Sequence, residues 1–123
     1  MNTSTLELHV SRWFNTQAPL TLEQLRAGRR VVVLLTFQML CPGCVATALP
    51  QVQRVHAGFS DEDVAVVGLH TVFEHHEAMT PVALEAFLHE YRIRFPVGVD
   101  EPSGSGPLPK TMASCRCRGR QTC

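Results

Sequence analysis

The sequence lacks the features that mark membrane-spanning, secreted or nucleic-acid-binding chains. Its longest apolar run, Val31 to Leu35, falls far short of the roughly 20 residues that span a bilayer. No basic stretch followed by an apolar one begins the chain, so we predict a cytoplasmic protein without a secretory signal. The 11 Lys and Arg balance the 11 Asp and Glu, which leaves no net charge to attract nucleic acid or an anionic membrane.

The chain is also too short for two self-sufficient cores. Its 123 residues, 45% hydrophobic and 18% charged, predict one globular domain and not a disordered chain. We expect this domain over residues 1–113, with its core in 20–100 and a loop rich in Pro, Gly and Ser over 100–110. Residues 114–123 make a Cys- and Arg-rich tail without a large apolar side chain, and this tail is predicted to be disordered.

Five cysteines are present, and an odd number argues against a closed disulfide framework. Cys41 and Cys44 stand together, whereas Cys115, Cys117 and Cys123 crowd the C-terminal end. In the cytosol, a close cysteine pair is more often catalytic or metal-binding than a structural disulfide.

Alternating strand and helix patterns predict an α/β fold. Val31–Phe37 is apolar without alternation, as in a central strand buried on both faces. The helix that follows should kink at Pro50 and end near Gly58. Val64–Leu69 is a second strand of the buried type and completes a right-handed βαβ unit, so the sheet is at least partly parallel. The apolar residues that share one side of the intervening helix are Val45, Ala48, Leu49, Val52 and Val55.

The flanking segments carry weaker signals. Residues 1–30 indicate a partly helical lead-in, anchored to the sheet by Trp13 and Phe14. A Thr-Pro start at 80–81 predicts a helix with apolar residues at i, i+3, i+4 and i+7. Phe95–Val99 is predicted to be a short strand, with its proline at a sheet edge or at the strand start.

The Cys41-Pro42-Gly43-Cys44 motif lies between the first strand and its helix. At a helix N-terminus, unpaired N–H groups and the helix dipole stabilise a thiolate. Cys41 is therefore predicted to attack a substrate disulfide, and Cys44 to attack the resulting mixed disulfide and release the product. Pro42 and Gly43 are predicted to shape the turn. No cofactor and no bound metal are expected in this reaction.

Two other interpretations of the cysteine pair stay open. A two-residue spacing is also typical of zinc sites, and the remaining ligands would then come from Cys115 and Cys117 or from His75 and His76. A zinc site of this kind usually lies between short elements, not between a buried strand and a long helix. The third interpretation is an inert pair in a catalytically silent remnant.

These motifs together resemble the thioredoxin-like fold, in its TlpA/redoxin branch with the alkyl hydroperoxide reductase and thiol-specific antioxidant group. The resemblance rests on the strand before Cys-Pro-x-Cys, the helix with an internal proline, the second strand, and Arg-Phe-Pro-Val-Gly-Val-Asp at 94–100. It covers about residues 20–113. It implies a three-layer fold, Cys41 as nucleophile, Cys44 as resolving cysteine, protein or small-molecule disulfides as substrates, and a thiol reductant.

The chain also departs from that family. Leu40 stands where thioredoxins have Trp, and Gln38 stands where a peroxidatic site has Thr, so direct peroxide reduction is not expected. Gln121 takes the place of the family's cis-proline, and a non-proline cis bond is costly, so a trans bond is expected. Because the sequence stops at Cys123, we hypothesise a truncated or out-of-frame C-terminus that lacks the family's last strands and helix. The alternative is a tail whose cysteines hold a metal or form a reactive thiol cluster.

Several histidines invite a metal interpretation that their spacing does not support. Imidazole and carboxylate are common metal ligands, but these residues fit no compact motif, and solvent-facing or capping roles are predicted for them. The residues concerned are His70, His75, His76 and His89, with Glu74 and Glu77 nearby.

Overall fold

The computed structural model describes residues 8–29, 31–72 and 75–101. In this part of the chain four strands form one mixed sheet in the order β1-β4-β3-β2, in which β1 is antiparallel to β4 and the other pairs are parallel. The predicted α/β class and partly parallel sheet are confirmed. The strands are β1 (Val10–Phe14), β2 (Val31–Phe37), β3 (Val64–His70) and β4 (Val97–Asp100), and the helices are α1 (Leu22–Arg26), α2 (Leu49–Gly58) and α3 (Pro81–Glu90).

The lead-in forms a strand that the sequence pattern did not predict. β1 pairs antiparallel with β4, and a register shift between Val10 and Arg12 marks a bulge. Asn15, which follows the strand with φ of 61°, donates through its side-chain amide to the carbonyls of Ile93 and Phe95 at 2.8 and 3.1 Å. Asn tolerates this left-handed backbone better than most residues. The predicted helical part is confirmed, because α1 begins with a capping box at Thr21.

The positions of two strands in the sheet bear on the predictions. β2 was predicted to be a central-type strand beside an edge that the family's last strands would fill, and among the described strands it pairs only with β3, with Val31 50% exposed. β4 lies between β1 and β3, so the edge position suggested by its proline is wrong. The alternative of a strand start is confirmed, since Pro96 precedes β4 and its carbonyl accepts the Gly68 N–H at 2.8 Å.

The two sheet faces bury different helices. On one face Leu25 of α1 clusters with Ala65 and Val67 of β3, and on the other face α2 and α3 cover the larger core cluster. Alternate residues of β2 and β3 divide between these faces, as the two-residue period of a strand requires. The helix–sheet–helix layers confirm the predicted three-layer architecture. The larger cluster includes Phe37, Leu49, Leu84, Leu88 and Phe95.

The helix after the cysteine motif contains a π-helical segment at Cys44–Ala48, immediately before α2. Leu49 donates its N–H to the Cys44 carbonyl, five residues back. Pro50 has no N–H and its ring would clash with the carbonyl four residues back, so a wider turn relieves the conflict. The predicted kink at Pro50 therefore takes the form of a π segment, and α2 ends at Gly58 as expected.

Helix α3 has a well-defined signal at each end. Thr80 caps the first turn by accepting the Ala83 N–H at 3.2 Å, and Pro81 occupies the first helical position, as predicted. At the other end, Ile93 donates to the Leu88 carbonyl and Arg92 donates to the His89 carbonyl. These are the two bonds of a Schellman motif, in which the residue after the cap adopts a left-handed backbone. That residue is Arg92, with φ of 56°.

Replacing Arg92 with glycine should stabilise the fold, because glycine adopts the left-handed backbone without a Cβ clash. The expected gain is about 0.5 to 1 kcal/mol in the free energy of unfolding, after allowing for glycine's larger loss of chain entropy. Urea denaturation at pH 7 measures it. Arg94→Gly, at an exposed position without positive φ, is the matched control and should not stabilise. A loss of stability in Arg92→Gly would mean that the guanidinium makes a contact that outweighs the strain.

The predicted domain limits are only partly covered by the described residues. β4 extends to Asp100, one residue beyond the predicted strand. Most of the predicted loop over 100–110, and the whole tail over 114–123, lie outside the described residues. Among the helices that the structure describes, none has the length and apolar character that crossing a membrane requires.

Candidate functional site

A tight turn connects β2 to the cysteine motif. The Cys41 N–H donates to the Gln38 carbonyl at 3.1 Å, which closes a four-residue turn from Gln38 to Cys41. Gln38 and Met39 are buried, whereas Leu40 is 57% exposed beside the motif. Every residue of β2 is paired with β3, so the turn that follows β2 places Cys41 at the carboxyl edge of the sheet.

Cys41 stands where the helix begins. Its carbonyl accepts the Val45 N–H at 3.1 Å, and Pro42 and Gly43, both exposed, already have helical backbone. Gly43 has φ of −64° and ψ of −35°, so this position does not use glycine's conformational freedom. The first N–H groups of a helix have no partner within the helix and favour negative charge nearby. Cys41 therefore stands at the open N-terminal end of the helix.

The two motif cysteines are in different states. Cys41 is a free, half-buried thiol that packs against the edge of the core cluster. Cys44 is fully buried in that cluster and takes part in a disulfide. Since Cys41 is free, the disulfide of Cys44 does not join the two residues of the motif.

His70 is buried directly beneath the turn. It is the last residue of β3, it is 1% exposed, and its ring lies 5.2 Å from that of Phe37. Its Nε2 accepts the backbone N–H of Met39 at 3.2 Å. Burial lowers the pKa of His70 from 6.5 to about 4, because an imidazolium loses hydration in the core. The ring is therefore neutral at pH 7.

The fold matches two solved structures. One is the thioredoxin-like superfamily protein SPOA0173, with 60% identity, a TM-score of 0.85, and 92% of this chain and 71% of that chain covered. The chain belongs to the thioredoxin-like superfamily. The other match, a thiol-disulfide isomerase from Corynebacterium glutamicum, has 47% identity and a TM-score of 0.86, with 97% of this chain and 76% of that chain covered. No family profile and no curated protein sequence matches the chain.

The superfamily assignment agrees with the resemblance to the TlpA/redoxin branch that the motifs indicate. Leu40, exposed and next to Cys41 in the chain, departs from the Trp of thioredoxins proper. The turn that would carry the family's cis-proline, and Gln121 in it, lie outside the described residues.

The histidines outside the core do not assemble into a metal site in the part of the chain that is described. No group of three or more His, Cys, Asp or Glu side chains there could hold a metal ion. His75 and His76 are exposed in the loop before α3. His89 is exposed on α3, and its Nδ1 lies 3.1 Å from Oε2 of Glu90. Among these histidines, His70 does not face solvent; it is buried and accepts the Met39 N–H in the turn before the helix. The proposed zinc ligands Cys115 and Cys117 lie outside the described residues.

Proposed function

We propose that this thioredoxin-like domain is a thiol-disulfide oxidoreductase that works through Cys41 and Cys44. The observation that carries the proposal is the free, half-buried Cys41 at the point where β2 passes into a helix. The similarity to a protein described as a thiol-disulfide isomerase supports the same chemistry. Substrates would be protein or small-molecule disulfides, and a thiol would restore the reduced state, with no bound cofactor.

The reaction divides between the two cysteines. The Cys41 thiolate attacks one sulfur of the substrate disulfide, forms a Cys41–substrate disulfide, and releases the other substrate sulfur as a thiolate that takes a proton from water. The Cys44 thiolate then attacks the Cys41 sulfur and releases the second substrate thiol. Two electrons pass from the dithiol to the substrate, and a disulfide between Cys41 and Cys44 remains. An external thiol then reduces this disulfide and restores the dithiol.

The burial of Cys44 suits its role as the resolving group. A thiol in the core cluster reacts poorly with bulky reagents, yet Cys44 lies within the same helical turn as Cys41 and needs to reach only one sulfur. Because Cys44 takes part in a different disulfide in this structure, that bond must first accept two electrons before the motif becomes a dithiol. We also propose that Pro42 and Gly43, which are exposed and have helical backbone, shape the turn between the two cysteines.

The redox state of the motif provides the direct test. The metal-free protein is equilibrated in graded glutathione buffers, alkylated, and digested with trypsin, which cuts after Arg30 and Arg54 and leaves both motif cysteines on one peptide away from the tail. We expect peptide 31–54 to lose two hydrogens reversibly at one midpoint potential. Turnover of a model disulfide is measured in parallel.

Two results would contradict the proposal. If Cys41 or Cys44 forms its stable disulfide only with Cys115, Cys117 or Cys123 at every potential, the motif is not a redox pair. If the peptide oxidises only after a chelator has removed about one equivalent of zinc, a zinc site replaces the oxidoreductase interpretation. The His89→Gln variant is the control, because this exposed position lies outside peptide 31–54, every cysteine is kept, and the midpoint should be the same.

A further inference from the structure

We propose that His70 is a positioning residue for Cys41. Its neutral Nε2 accepts the N–H of Met39 at 3.2 Å, and this bond connects the end of β3 to the turn that carries Cys41. The proposal deepens the function proposed above and rests on Cys41 as its reactive thiol. His70 touches no substrate; it acts through the backbone of the turn.

Two hydrogen bonds connect His70 to the backbone at Cys41. Met39 occupies the second position of the turn that the Cys41 N–H closes onto the Gln38 carbonyl. In such a turn the second residue's N–H points away from the turn's own acceptor and needs a partner elsewhere. Met39 is 9% exposed, so water cannot readily serve as that partner. His70 supplies the acceptor and thereby fixes the direction in which the chain enters the helix at Cys41.

The position of His70 is itself firmly held. It is paired with Phe37 in the parallel register of β2 and β3, and the next residue, Thr71, donates its N–H to the Phe37 carbonyl at 3.0 Å. The ring contacts Phe37 from below the turn. Since Nε2 accepts a bond, the ring proton is assigned to Nδ1. A buried ring with one tautomer and fixed neighbours is a more rigid acceptor than a water molecule.

The test compares two replacements of His70. His70→Gln keeps an acceptor near the position of Nε2, whereas His70→Leu removes it and leaves the Met39 N–H buried without a partner. Each protein is fully reduced, and the rate of Cys41 alkylation by iodoacetamide is followed at pH 7 by mass spectrometry of peptide 31–54. We expect His70→Leu to slow Cys41 alkylation about tenfold, as a misplaced reactive group does, and His70→Gln to stay within about threefold of the wild-type rate.

Two controls separate positioning from general stability. Leu25→Ala makes a cavity on the opposite sheet face and should leave the alkylation rate unchanged, and His89→Gln removes an exposed histidine without effect. Equal slowing in Leu25→Ala and His70→Leu would overturn the proposal. If His70→Leu does not fold, nitrogen NMR of the wild-type protein decides, because an Nε2–H tautomer at pH 7 is incompatible with the bond to Met39.

Alkylation does not require disulfide turnover, so the two proposals fail separately. A rate that depends on His70 in a protein without turnover supports positioning of the thiol and contradicts the oxidoreductase function. Turnover that is insensitive to His70→Leu, with normal alkylation, contradicts the positioning role alone.

Discussion

Replacing Cys41 with serine should reduce the rate of disulfide reduction by about 10³-fold or more, because a hydroxyl is not an effective nucleophile toward a disulfide. Replacing Cys44 with serine should produce a different defect. Cys41 still attacks the substrate, but no buried thiol resolves the product, so the Cys41–substrate disulfide accumulates. The measurement is turnover of a model disulfide with a thiol reductant, together with intact mass after mixing with substrate in the absence of reductant.

Thr47→Ser is the matched control for these two variants, since it is a conservative change at an exposed position of the same helical segment and leaves every cysteine in place. It should retain the wild-type rate. The proposed division of roles predicts a mass increase of one substrate half in Cys44→Ser and none in Cys41→Ser. The reverse pattern would assign the nucleophile to Cys44, and equal activity in all three variants would remove the motif from the reaction.

The elements with strong local patterns were predicted well from the sequence. Val31–Phe37 was predicted as a strand and forms β2 over the same residues, because a run of β-branched and apolar residues needs no partner information to be recognised. Helix α3 was predicted from its Thr-Pro start and its apolar spacing, and both signals are used as expected. The parallel pairing of β2 and β3 follows from the helix that separates them.

The features that were missed depend on contacts between distant residues. β1 contains Ser11 and Arg12 and shows no clean alternation, and its pairing partner β4 lies more than 80 residues later in the chain. For Pro96, which cannot donate, the sequence left a sheet edge and a strand start open, and only the pairing of β4 with both β1 and β3 decides for the strand start.

The same difference between local patterns and contacts between distant residues applies to the candidate site. The sequence located Cys41 and Cys44, since the motif and its strand-to-helix context are local. It did not identify His70 as a buried partner of the turn, although a signal was present. Position 70 directly continues the apolar run of β3, and parallel strands end at the same sheet edge, so a residue there lies beside those that follow Phe37. What sequence reasoning could not supply is the ring's burial and its bond to Met39.

Lowering the pH should destabilise the fold through His70. The pKa of His70 is lowered to about 4 by burial, against 6.5 when the residue is exposed. Between these values the unfolded chain binds a proton that the native chain excludes, so stability is complete above pH 6.5 and falls as the pH drops toward 4. At about 1.4 kcal/mol for each unit of pKa, the loss attributable to His70 is roughly 3 kcal/mol. Urea unfolding measured from pH 7 to pH 4 determines it.

His70→Gln isolates this contribution from the other groups that titrate in the same range. The other five histidines, which are His9, His56, His75, His76 and His89, and the carboxylates remain in both proteins, so their effects cancel when the two pH profiles are subtracted. The variant keeps an acceptor for Met39 and gains no proton, so its stability should fall less with pH, and the two proteins should converge toward pH 4. Parallel profiles would show that His70 is protonated as easily in the folded chain as in the unfolded one. In that case protonation would not compete with the bond to Met39, and the turn at Cys41 would be held by some other group.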